Sequence, residues 1–289
     1  MSYATLVSTA ELAAHLDDAN WVILDCQHDL MNPAFGRDSY AREHIPGARF
    51  ISIDDDLAEH PPATGPKLRG RHPLPSADAL ASVFSRLGID ASRQVVLYDS
   101  AGASYAARAW WCLRWLGHDA VAVLDGSLAK WKSEGRALTA AAAAWAPAQF
   151  IARPNGQMKT STAAILATLG QPGAPRIIDA RAPERYNGST EPMDPVAGHI
   201  PGAHNRFWKS NLGADGVFKN AAVLRTELRA LLQGLEPADT VHQCGSGVTA
   251  CHNLLALEVA GLAGGKLYPG SWSEWCADAA RPVATGAAP

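Results

Sequence analysis

Seven residues carry the chemistry most plainly: Cys244, Gly245, Ser246, Gly247, Val248, Thr249 and Ala250. They follow a short run, 240–243, that reads as a strand, and they precede a stretch that reads as a helix. A sharp turn at the carboxyl end of a parallel strand is where α/β sheets hold ligands. Gly245 and Gly247 allow backbone conformations closed to other residues. A glycine-containing turn that opens a helix can aim several N–H groups at one point, and that point favours negative charge. Such surroundings lower a thiol pKa and make Cys244 a nucleophile at neutral pH. The competing reading is a structural cysteine in a tight turn. Cysteine-dependent phosphatase chemistry is excluded, because it needs an arginine six residues on to clamp phosphate, and that residue is Ala250. Cys251 falls two helical turns after the nucleophile and reads as core. No CxxC or HExxH spacing occurs and the histidines are scattered, so neither a metal nor a cofactor is expected.

The chain around this loop has 289 residues, enough for about two domains. Its net charge of −3 and pI near 6.4 give no basic footprint for nucleic acid. No apolar run is long enough to span a membrane. Glu11, Asp17 and Asp18 near the start make a poor signal or transit peptide. The cysteine count, five, is odd and does not suggest a disulfide framework. Thiols in a reducing compartment, the cytoplasm, are expected instead.

An internal duplication organises these parts. EHIPGA ends at Ala48 and GHIPGA at Ala203, and each follows an apolar strand ending in an acid, Asp25 or Asp179. A strand and turn through Asp99 matches the one through Cys244, and LDGSLAKW, ending at Trp131, matches YPGSWSEW, ending at Trp275. Repeats in the same order imply two copies of one unit. In the first copy helices are expected over 8–16, with a Ser8/Glu11 capping box, and over 77–87, 104–116 and 128–134, with strands over 22–25, 95–99 and 120–124. The second copy repeats the pattern, with strands 177–179, 240–243 and 266–268 and helices 223–232, 248–260 and 272–279. Trp272 and Trp275 are expected to pack the last helix on its sheet. Short apolar strands between helices indicate an α/β fold with mostly parallel sheets covered on both faces. Residues 139–157 suit an irregular crossover, although their alanine run could extend a helix. The boundary falls at 144/145, giving domains 1–144 and 145–289. Asp99 stands in the first where Cys244 stands in the second, so the first is expected to be inactive.

The paired HIPGA segments, the CGSGVTA loop and the LDG and PGSW blocks together resemble tandem-domain rhodanese sulfurtransferases, over nearly the whole chain. The loop is most similar to that of the 3-mercaptopyruvate branch. The thiosulfate branch usually carries basic residues in this loop, where Gly245 and Ser246 stand here. The resemblance implies that sulfur passes from 3-mercaptopyruvate to a Cys244 persulfide, and then to a thiol such as thioredoxin or to cyanide. Thiosulfate sulfurtransfer and an idle rhodanese-like binding module are the alternatives. It further implies that Arg181 and Arg185 bind substrate alongside Gly245, Gly247, Val248 and Thr249. It also implies that Ser246 is joined by His44 and Asp38 of the first domain. His44 could instead fix its loop, since His199 holds the same place in the second copy. Arg71 and His72, in GRHPLP, could edge a cleft between the domains, but a solvated loop is the better reading.

Overall fold

The computed structural model describes residues 2–60 and 69–289. The chain separates into two compact units. The first comprises Met1–Glu59, Pro75–Asn155 and Leu212–Phe218, and the second His60–Leu74, Gly156–Asn211 and Lys219–Pro289.

In the first unit the order is β1 (Leu6–Val7), α1 (Thr9–Ala14), β2 (Trp21–Asp25), α2 (Phe35–Arg42), β3 (Arg49–Phe50), α3 (Ala77–Arg86), β4 (Gln94–Tyr98), α4 (Ala106–Trp115), β5 (Val121–Leu124) and α5 (Ser127–Ser133). The sheet runs β1-β5-β4-β2-β3 with every pair parallel. All five residues of β4 are buried, because helices cover both faces and alternation has no solvent side to serve. The Ser8/Glu11 capping box is present at α1. Helix α4 is buried nearly all round, including Trp110, Trp111 and Trp115.

The second unit runs α6 (Thr162–Thr168), β6 (Arg176–Asp179), α7 (Pro183–Tyr186), β7 (His204–Asn205), α8 (Ala221–Leu232), β8 (Thr240–Gln243), α9 (Ala250–Val259), β9 (Lys266–Leu267) and α10 (Ser271–Trp275). Its parallel sheet has the order β7-β6-β8-β9. Trp272 and Trp275 are buried in a cluster with Ile177, Ile200, Val241 and Tyr268, which seats α10 on the sheet.

The alanine run forms no helix, and residues 140–155 are irregular. They stay with the first unit beyond the expected boundary at 144. Phe150 packs on Phe84 with ring centroids 5.2 Å apart. The Arg153 and Asn155 N–H groups donate to Leu116 O and Trp115 O. These bonds tie the crossover to the end of α4 as far as Asn155. Residues 69–74, in contrast, belong to the second unit.

Candidate active site

Cys244 is the first residue after β8 and is 2% exposed. Its N–H donates to Ser271 Oγ at 3.1 Å, and its carbonyl accepts from Trp272 N. Ser273 N donates to Gly245 O. The start of α10 therefore clamps the cysteine turn from behind. Gly247 has φ +77°, and a Cβ there would collide with Pro269 O. Only glycine lets the turn pass this close to the neighbouring loop. Val248 and Thr249 shape the turn into α9, where their carbonyls accept from Cys251 N and His252 N. Thr249 is the N-cap of α9.

The first copy shows what such a turn binds. Asp99, in the position of Cys244, is fully buried. One carboxylate oxygen accepts from Ala101 N (2.8 Å) and Ala103 N (2.9 Å), the other from Tyr105 N (2.8 Å) and Ala106 N (2.9 Å). Four amides converge on one anion, as in a backbone nest. Ser127, at φ +56°, stands 3.5 Å from the carboxylate, while Ser271, at φ +55°, supports Cys244 in the second copy. Two turns on the same frame thus hold an aspartate in one copy and a cysteine in the other.

A chain of charges lies beside the cysteine turn. A Cβ on Gly245 would stand 3.1 Å from Arg71 Nη2 and 3.4 Å from Arg185 Nη1. Arg71, read from sequence as a solvated-loop residue, instead pairs with Asp194 at 2.8 Å. Arg185 pairs with Glu191 at 2.7 Å and with the same Asp194 at 3.1 Å. Both carboxylates are almost wholly buried, whereas the two guanidiniums keep 25% and 20% side-chain exposure.

Arg181 differs from the expected substrate contact. Its side chain is 1% exposed, grips Asp179, reaches Glu191 and Gly198 O, and lies over Trp272. Burial works against its charge, but Asp179 and Glu191 outweigh that and raise its pKa. Gln27 bonds Asp25 in the same way in the first copy. Arg181 therefore fixes the strand end and holds Glu191, the partner of Arg185.

Ser246 meets a histidine, and that histidine is His72. Its Nδ1 lies 2.7 Å from Ser246 Oγ, and both residues are buried. The sequence separation of 174 hid this pair, and the loop containing His72 carried no local signal. His44 belongs to the first unit, where its ring nitrogens face Tyr40 O at 2.7 Å and Ala141 O at 3.2 Å. It stacks on Tyr40 and pairs its backbone with Thr139. His199 repeats this arrangement with Tyr186 and Ala284. The HIPGA histidines thus tie a loop in both copies. Asp38 is exposed in the first turn of α2.

The rhodanese-like domain family matches residues 8–134 and again 162–278. A Pseudomonas aeruginosa protein named "Probable 3-mercaptopyruvate sulfurtransferase" is 46% identical over 99% of this chain and 100% of its own. A Mycobacterium tuberculosis protein provisionally named a thiosulfate sulfurtransferase is 38% identical over 98% of each chain. The crystal structure of the 3-mercaptopyruvate sulfurtransferase SseA from Escherichia coli superposes with a TM-score of 0.78 at 31% identity, covering 94% of this chain and 100% of that one. With both halves matched and a relative of this identity along the full length, the chain belongs to the rhodanese-like family and carries two such domains.

Proposed function

We propose that this protein is a sulfurtransferase that takes sulfur from 3-mercaptopyruvate through a persulfide on Cys244. One observation carries the reading: a cysteine replaces the amide-bound Asp99 in an otherwise matching turn, with two arginines beside it. The Cys244 thiolate attacks the donor sulfur. The sulfur–carbon bond breaks, and its electron pair leaves on the three-carbon fragment as pyruvate enolate. Protonation of that carbon releases pyruvate, and we assign the supply of that proton to the Ser246–His72 pair, whose Oγ and Nδ1 lie 2.7 Å apart. An acceptor thiolate, thioredoxin-like or small, or cyanide, then attacks the outer persulfide sulfur and restores the Cys244 thiolate. Five unbridged cysteines suit a reducing compartment, and we place the enzyme in the cytoplasm.

Thiosulfate is the second donor to weigh, because the M. tuberculosis relative bears that name. The turn itself carries no charge. Arg71 and Arg185 beside it are balanced by Glu191 and Asp194, so no net positive charge awaits a dianion. We expect a higher kcat/KM for 3-mercaptopyruvate, read as pyruvate release, than for thiosulfate, read as thiocyanate formed from cyanide. Equal or faster turnover of thiosulfate would transfer the assignment to that donor.

A further inference from the structure

Arg71 and Asp194 take no part in the bond-making and bond-breaking steps above, yet they lie beside the cysteine turn. Arg185 Nε and Nη2 are bound to Glu191 and Asp194. Its Nη1, the nitrogen nearest Gly245, has no acceptor among the described residues. Arg71 Nη1 holds Asp194 at 2.8 Å, while its Nη2 sits 3.5 Å from Asp194 and nearer the cysteine turn. Arg71 Nε is buried and has no partner among the described residues. A buried donor left this way costs free energy unless a ligand or water supplies the acceptor. Arg71, Asp194 and Met193, with Ser273 and Ala277, also line a cavity of about 410 Å³.

We propose that Arg71 is the second arm of the donor-carboxylate clamp and that Asp194 is a resident carboxylate that sets its selectivity. This rests on the reading of Cys244 as the nucleophile for a carboxylate-bearing donor. The two guanidiniums share Asp194 and present their remaining N–H groups over Gly245, where one carboxylate can bridge them. Asp194 holds both forks in place and cancels part of their charge. A monoanion that supplies matching lone pairs is accepted, while anions in general are attracted less than two free arginines would attract them.

Alkylation of Cys244 separates this idea from the sulfur chemistry. Iodoacetate and iodoacetamide react by the same displacement and differ chiefly in a carboxylate. Their rate ratio on the full-length protein therefore reads anion recognition beside the thiol. Arg71→Ala should lower the iodoacetate-to-iodoacetamide ratio by about tenfold, as loss of a charge-assisted contact does. The iodoacetamide rate should stay within about twofold, which also shows that the turn is folded. Arg71→Lys should restore part of the ratio, because a point charge replaces a fork. Asp194→Asn should raise the ratio above that of the wild type. An unchanged ratio in Arg71→Ala would overturn the clamp, as would an equal fall in both rates. A lower ratio in Asp194→Asn would overturn the role given to Asp194. Pyruvate release by the wild type is measured alongside. Its absence would refute the sulfurtransferase reading whatever the alkylation ratios show.

Discussion

The turn that holds Cys244 was legible because its signal is local: a strand, two glycines and a helix within a few residues. His72 was not, because its meaning depends on Ser246, far along the chain. The partner of Arg71 was hidden for the same reason, and Arg181 is ambiguous because a buried ion pair and a substrate contact look alike in sequence. These assignments separate in mutants. Arg185→Ala should cost about 2–3 kcal/mol in kcat/KM for 3-mercaptopyruvate, or about 30- to 150-fold, with Arg185→Lys recovering part. His72→Ala should lower kcat more than it raises KM. His44→Ala should instead lower the melting temperature, by an amount reflecting about 1–3 kcal/mol, and leave kcat per folded molecule unchanged. The other thiols give a further contrast. Burial pushes Cys276 up to about 11, helped by Asp194, and pushes Cys112 up to about 11 against the pull of Arg108. A raised thiol pKa means the neutral, unreactive form below it. At pH 8 iodoacetamide should therefore label Cys244 quickly, and Cys112 and Cys276 only on unfolding. Peptide mapping after brief labelling reads this directly.

At the scale of elements, the longer helices and central strands follow from periodicity and caps. The Ser8/Glu11 box and the apolar run 95–97 of β4 needed nothing but sequence. The two-residue edge strands β1, β3 and β7 and the single-turn α7 are too short to leave a period, and only pairing to a neighbour defines them. The alanine run 140–144 favours helix locally but has no apolar face to bury, and bonds to α4 further on hold the crossover irregular. The turn between β8 and α9 depends on Gly247. Gly247→Ala must place a side chain at φ +77° against Pro269 O. It should destabilise the second unit by about 1–3 kcal/mol of backbone strain, and more from the collision. Iodoacetamide labelling of Cys244 should change in the same variant, because the turn that presents its thiol is displaced from the loop at Pro269. Denaturant unfolding and labelling rate, measured together, test that coupling.

On the scale of the whole chain, duplication was the most readable feature, because matched blocks persist while loops drift in length. What the repeat could not show is that residues 69–74 belong to the second unit, since that exchange leaves no trace in the blocks. The two copies differ at one turn: Asp99 accepts from four backbone amides in the first, and Cys244 stands in its place in the second. Asp99→Ala would leave four amides without their acceptor. It should destabilise the first unit by several kcal/mol, at about 1–3 for each donor left buried and unpaired. Sulfur loading at Cys244, counted per folded molecule, should be unchanged. That loading is also the most direct test of the central claim. Incubated with 3-mercaptopyruvate and no acceptor, the protein should gain one sulfur, about 32 Da, on the peptide containing Cys244, and Cys244→Ser should gain none. Mass spectrometry that finds no added sulfur, or finds it on Cys251 or Cys276, would contradict the account.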